Sequence, residues 1–185
     1  MRIIAGRFGG RKLASLGKGD AAAHLRPTPD RVREALFSSL TSGAYGDPIT
    51  GARVLDLFAG TGALGLEALS RGAAHVTFVE TGRVAQRLLA DNIRSLGVAA
   101  ETRVRRSDAC KLGPPEVAPF DLVFLDPPYG QGLGVRALAQ RDWIAPGALI
   151  VWEEDAPQDP PPGFDLRDQR RYGGTHVTVL EARDV

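Results

Sequence analysis

The stretch from Arg53 to Arg71 constrains the fold most. It opens with an apolar run, Arg53-Val54-Leu55-Asp56-Leu57-Phe58, passes through Ala59-Gly60-Thr61-Gly62, and continues as Ala63-Leu64-Gly65-Leu66-Glu67-Ala68-Leu69-Ser70-Arg71. The run suits a buried strand and the last segment a helix. Glycines between them allow a tight turn and a close approach of backbone to a ligand. A strand entering a helix through such a turn begins a βαβ unit, and the chain repeats the alternation. His75 to Glu80 reads as a strand, Arg83 to Leu96 as a helix, and Glu101 to Arg106 as a strand. Asp121 to Leu125 and Gly147 to Glu153 supply two more strands, with a helix near Val135–Gln140 between them. Phe164 to Tyr172 and Thr175 to Ala182 flank Gly173-Gly174, a hairpin signal. The order implies an α/β fold: a Rossmann-like, mostly parallel sheet with helices on both faces, right-handed crossovers and a C-terminal antiparallel hairpin.

A chain of 185 residues, 43% hydrophobic and 24% charged, fits one soluble domain with its own core. No apolar stretch approaches the ~18 residues needed to cross a bilayer. The start, Met1 to Arg7, is too short and too polar for a signal peptide. Cys110 is the single cysteine, and His24, His75 and His176 are scattered, so neither a disulfide nor a metal site is expected. A cytoplasmic, metal-free, membrane-free protein acting as a monomer is the default expectation.

Charge is unevenly distributed. Residues 1–33 carry eight basic side chains against Asp20 and Asp30, whereas the remainder has 15 basic and 20 acidic residues. A basic arm on a mildly acidic body suggests a polyanionic partner, gripped by Arg2, Arg7, Arg11, Lys12, Arg26 and Arg33. The bland alternative is a solvated, flexible tail. Residues 1–27 read as a strand or hairpin leading into a loop, with Gly17-Lys18-Gly19 as its mobile part. Thr28-Pro29 then announces a helix, with threonine as cap, proline in the first turn and Asp30 near the positive dipole end. Val32, Leu36, Phe37 and Leu40 form its apolar face, leaving Arg31, Arg33 and Glu34 outside. This divides the chain into an N-terminal arm and helix (1–50) and a main domain (51–185).

Gly60, Gly62 and Gly65 match the dinucleotide pattern G-x-G-x-x-G, and Glu80 ends the next strand where a ribose-binding acid belongs. Nicotinamide, flavin and S-adenosylmethionine enzymes share these needs. Asp56 favours the last. A carboxylate at the end of a buried strand needs a partner; a pyrophosphate would repel it, whereas the ammonium and sulfonium of S-adenosylmethionine would attract it. Asp56 could instead cap the helix beginning near Gly62, and Glu80 could simply end a strand. Asp108, beyond the third strand, is placed either to accept from an adenine amino group or to cap a helix.

Asp126-Pro127-Pro128-Tyr129 follows the apolar run Asp121 to Leu125 and precedes Gly130. Two prolines stiffen the turn and hold Asp126 extended. The loop offers a carboxylate, a carbonyl and an aromatic face, which suits a planar substrate bearing an amino group. Read alone, it is also an ordinary Asp-Pro turn closing a strand. Asp56, Glu80, Asp108 and Asp126 all fall at carboxyl ends of strands, where ligands bind in open α/β sheets. A methyl donor beside this loop points to methylation of an exocyclic base nitrogen.

Nearly end to end, the chain resembles the RsmD family, the bacterial 16S rRNA guanine-N2 methyltransferases of the small ribosomal subunit. The resemblance lies in Arg2-Ile3-Ile4-Ala5-Gly6 with Gly10-Arg11-Lys12-Leu13, in Arg26-Pro27-Thr28-Pro29-Asp30-Arg31-Val32-Arg33-Glu34-Ala35-Leu36-Phe37, in Asp56 to Ser70, and in Asp126-Pro127-Pro128-Tyr129. The segment Arg26 to Phe37 is its specific part; Ser38 departs from the pattern, where asparagine is expected. The resemblance implies a class I S-adenosylmethionine-dependent methyltransferase acting on small-subunit particles. It implies Asp126, Pro127, Pro128 and Tyr129 at the reacting base. Asp56, Phe58, Gly60, Thr61, Gly62, Gly65, Glu80 and Asp108 would surround S-adenosyl-L-methionine. An adenine-N6 methyltransferase also carries D-P-P-Y, but the chain lacks obvious room for a DNA target-recognition domain. A protein-glutamine methyltransferase would prefer asparagine at 126, and a non-catalytic RNA-binding protein would rely on the basic arm alone.

Overall fold

The computed structural model describes residues 1–15 and 29–184. In chain order these form α1 (Asp30–Leu40), β1 (Arg53–Leu57), α2 (Ala63–Ser70), β2 (His75–Val79), α3 (Arg83–Leu96), β3 (Thr102–Arg105), β4 (Phe120–Leu125), α4 (Leu133–Leu138), β5 (Ile144–Glu154), β6 (Phe164–Tyr172) and β7 (Thr175–Ala182). The seven strands make one sheet in the order β3-β2-β1-β4-β5-β7-β6. Strands β1 to β5 run parallel to one another, whereas β7 is antiparallel to both β5 and β6. The alternation of strand and helix patterns therefore folds as expected, and the terminal hairpin enters the sheet with its second strand inward.

Period-2 burial explains the layers. Val54, Val76, Phe78, Leu122 and Phe124 face one core, which α1, α2 and α3 cover through Leu36, Phe37, Leu66, Leu69 and Leu89. Leu55, Leu57, Val79, Val123 and Leu125 face the other, closed by α4, Trp143 and the turn at Ala109 to Leu112. Helix α2 is buried from Leu64 to Ser70 and lies so close to the sheet that only glycine fits at 65. A Cβ there would stand 2.5 Å from the Phe78 ring and 2.7 Å from Val76 Cγ1.

The first fifteen residues belong to this core. Arg2 and Lys12 form an antiparallel bridge around a 3-10 turn at Gly6–Phe8. Ile3 and Leu13 are buried in the same cluster as α1 and β1. Polar side chains of α2 fix the segment. Glu67, fully buried, accepts the Ile4 and Ala5 amides at 2.7 and 3.1 Å and pairs with Arg71 at 2.7 Å. Ser70 Oγ accepts the Phe8 amide at 3.0 Å. Gly6, at φ 81°, passes so close to the Ser70 carbonyl that a Cβ would sit 1.9 Å away. The solvated-tail reading does not hold for residues 1–15.

Helix α1 corrects one expectation. Arg33 is fully buried, not outside. Its guanidinium donates to the Arg2 carbonyl and, at 3.0 Å, to Asp30. Position 33 shares a helical face with Leu36, Phe37 and Leu40, so the fold turns it inward. Burial pulls the guanidinium below its usual pKa, opposed by Asp30, Glu67 and Glu153. Pro29 stands at the N-cap, one position before the first turn. The threonine cap at Thr28, the segment Gly17-Lys18-Gly19 and Arg26 lie outside the described residues.

Candidate active site

The strand order reverses between β1 and β4, and ligands of open α/β sheets bind at the carboxyl edge of such a switch point. Asp56 is there, 2% exposed, its Oδ2 accepting the Gly65 amide at 2.9 Å. That bond crosses the glycine loop and fixes the start of α2 against β1. Burial pushes the Asp56 carboxyl up to about 8, with the Gly65 amide opposing and Glu80 and Glu153 adding to the rise. That rise favours the protonated form of the carboxyl when no cation lies beside it.

The loop from Phe58 to Gly62 is shaped for close approach. Phe58 has φ 59°, a left-handed conformation found at no other non-glycine residue among those described. Such a residue costs about 1–3 kcal/mol and persists where its surroundings enforce it. Gly60 and Gly62 also have positive φ, and a Cβ on Gly62 would meet Leu89 Cδ1 at 2.4 Å. Glu80, the residue after β2, accepts the Gly60 amide at 2.8 Å and the Gly82 amide at 2.6 Å. Its carboxylate thus bridges the glycine loop and the start of α3. Asp56 and Glu80 tie the glycine loop through Gly65 and Gly60, with Thr61 and Gly62 between these two points. Asp108 stands apart in the turn after β3, where its Oδ1 accepts the Cys110 amide at 2.8 Å. No helix follows it, so it caps a turn.

Beyond β4, Asp126 continues the line set by the pairings Leu57↔Leu125 and Leu125↔Trp152. Burial raises the Asp126 carboxyl well above the ordinary carboxylate range, and Glu153, Asp56 and Glu154 raise it further. Pro127 is buried and Pro128 exposed. The loop is fixed at its far end: the Gly130 amide donates to Glu154 at 3.3 Å, and the Tyr129 hydroxyl lies 3.5 Å from Thr175 Oγ1. A rigid carboxylate, a proline carbonyl and a half-buried phenol therefore share one rim with Asp56.

Two residues of this centre escaped the sequence reading. Glu153 is buried at the end of β5, and its position at a strand's carboxyl end was the available signal. Glu154, beside it, holds the Gly130 amide. Of the basic residues, Arg2, Arg7, Arg11 and Lys12 are exposed along the N-terminal hairpin. Arg2 lies 3.6 Å from Asp30, Arg7 pairs with Glu101, and Arg11 donates to the Ser95 carbonyl at 2.7 Å. A cavity of about 440 Å³ lined by Tyr45, Asp47, Asp121, Arg167 and Glu181 opens at the opposite ends of the strands, away from the carboxylates. Among the described residues no group of His, Cys, Asp or Glu is arranged to hold a metal ion, and no helix is long and apolar enough to cross a membrane.

A family profile described as "Conserved hypothetical protein 95" matches residues 1–181. Ribosomal RNA small subunit methyltransferase D of Haemophilus influenzae is 39% identical over 181 residues, covering 94% of this chain and 89% of that one. Its Escherichia coli K12 counterpart of the same name is 41% identical over 158 residues, covering 84% and 75%. The chain belongs to the RsmD methyltransferase family. Among solved structures, the Escherichia coli methyltransferase yhhF superposes with a TM-score of 0.81 at 36% identity, covering 99% of this chain and 98% of that one. Membership makes this an S-adenosylmethionine-dependent methyltransferase, and the site fits that donor. Asp56 is a deeply buried acid whose charged form is favoured, among the described residues, by one backbone amide, and a cationic ligand answers that deficit. Gly60, Gly62 and Gly65 leave backbone open for close contact, and Glu80 sits at the end of β2 beside them.

Proposed function

We propose that this chain methylates the exocyclic N2 amino group of a guanine in 16S rRNA of the small ribosomal subunit. The observation that carries the reading is the rigid Asp126-Pro127-Pro128-Tyr129 loop sharing the switch point with Asp56. When bound, S-adenosylmethionine supplies an electrophilic methyl group; Asp56, Glu80 and the glycine loop would hold it, with Asp108 towards its adenine. The guanine amino group is a poor nucleophile, because its lone pair is delocalised into the ring. Asp126 and the Pro127 carbonyl accept its hydrogens, raising electron density on nitrogen and fixing its line of attack. Tyr129 stacks on the flipped-out base. Transfer of the methyl group, with its bond to sulfur breaking and a neutral thioether leaving, would make that nitrogen acidic, and Asp126 would take its proton. The raised Asp126 pKa brings that acceptor closer to working pH.

Residues 1–50 would form the RNA side of the enzyme. Arg2, Arg7, Arg11 and Lys12, with Arg26, would meet phosphates and make binding salt-dependent. Arg33 is removed from this set by its burial and serves α1 instead. The partner is then the small subunit or an assembly intermediate, met in the cytoplasm by a single copy of the chain. Mass spectrometry of nucleosides from small subunits treated with the protein and labelled donor tests the reading. N2-methylguanine is expected; N6-methyladenine would overturn the choice of base.

A further inference from the structure

Asn92 is a polar residue on the apolar stripe of α3, between Leu89 and Leu96, and is 1% exposed. Its side chain is fully used. Oδ1 accepts the Ala14 amide at 2.6 Å, and Nδ2 donates to the Ala14 carbonyl at 3.2 Å and the Thr61 carbonyl at 2.9 Å. One side-chain amide therefore clasps the N-terminal arm through both the N–H and the carbonyl of Ala14 and also reaches the glycine loop. A second contact joins the same two segments: the Thr61 hydroxyl lies 3.9 Å from Met1 Sδ, and the Leu13 amide donates to the Met1 carbonyl at 3.2 Å. Thr61 stands between Gly60 and Gly62, so its carbonyl belongs to the turn whose shape depends on two positive φ angles. A turn of glycines has little stiffness of its own and takes its geometry from its surroundings.

We propose that Asn92 is a positioning residue that couples the N-terminal arm to the donor loop, so that the docked arm sets the geometry in which Gly60 to Gly65 receives S-adenosylmethionine. The coupling rests on the reading of that loop as the donor site and not on any contact of the arm with RNA. It is reciprocal: an arm that favours the binding geometry is itself held more firmly once the donor binds.

The test uses the full chain and S-adenosylmethionine without RNA, read by calorimetry. Ala14→Pro removes the amide that Oδ1 accepts while leaving α3 untouched; Ala14→Gly keeps it. We expect Asn92→Ala and Ala14→Pro each to weaken donor binding by about tenfold and Ala14→Gly to bind as wild type. The double variant should be no weaker than Asn92→Ala alone, because both changes break one connection. Amide exchange at Ala14 should slow on donor addition in wild type and not in Asn92→Ala, a response that a merely structural asparagine would not give. Unchanged donor affinity in Ala14→Pro, or effects that multiply in the double variant, would overturn the proposal. Should Asn92→Ala not fold, the comparison of Ala14→Pro with Ala14→Gly decides by itself. Wild type that failed to bind the donor would instead overturn the reading of the loop.

Discussion

Replacing Asp56 by asparagine separates charge from shape at the centre of the site. The asparagine carbonyl can still accept the Gly65 amide, now at 2.9 Å, so the turn into α2 is kept. The charge is not. With its pKa near 8, wild-type Asp56 must lose a proton to meet a cationic donor at pH 7. That loss costs about 1.4 kcal/mol at pH 7 and almost nothing at pH 9, so this group strengthens binding about tenfold over the interval. Binding at pH 7 should therefore release about 0.9 protons from Asp56. The donor's own amine titrates in the same range, so a donor analogue without that amine, whose sulfonium keeps its charge at every pH, is compared in both proteins, and the difference between them is the readout. Calorimetry in two buffers of different ionisation heat measures it. Asp56→Asn should lose that proton release and bind about a hundredfold more weakly at pH 9, where a buried charge no longer has its partner. The donor-free protein gives a converse check. A carboxyl raised on folding contributes stability below its unfolded pKa and loses it as pH rises to about 8, so wild type should lose stability from acid to pH 8 more steeply than the variant. Equal proton release, with parallel affinities from pH 7 to 9, would refute a cationic ligand at Asp56.

Other changes probe separate parts. Asp126→Asn should lower kcat by about a hundredfold or more while donor affinity stays within a fewfold, measured by single-turnover methyl transfer. Wild-type kcat should rise with pH through the elevated Asp126 range, and that limb should vanish in the variant. Gly65→Ala drives a methyl into Phe78 and Val76 and should cost about 3 kcal/mol or more by denaturant unfolding, with loss of donor binding. Glu67→Ala strands Arg71 and the Ile4 and Ala5 amides, so about 3–5 kcal/mol of stability should go, with faster amide exchange at Ile4 and Ala5.

Strands and the hairpin were legible because their side-chain periods are local. The expected spans of α3, β6 and β7 coincide with those observed, and β1, β2 and β4 differ by one residue at an end. Arg33 was misplaced because charge outweighed its helical spacing from Leu36, Phe37 and Leu40. What satisfies it, the Arg2 carbonyl, comes from a segment thirty-one residues away and leaves no local trace. Asp108 looked equally like a helix cap, yet the chain makes only a turn after it. Asn92 was missed, although a polar residue on the apolar stripe of α3 was an available signal. Its partners, Ala14 and Thr61, emerge only when the arm docks.

The placement of β7 between β5 and β6 has a consequence for the order of assembly. Although β6 is made before β7, it has no strand to pair with in the sheet until β7 arrives. Both β5 and β6 therefore wait for β7 to be made before either has its partner on that side. Until then β5, which carries Trp152 and Glu153, is an open edge able to pair with other chains. Completion of the candidate rim thus waits for the last strand of the chain, because Thr175, beside Tyr129, begins β7. A nascent or damaged chain that lacks the hairpin carries the glycine loop but not the bracing of Tyr129.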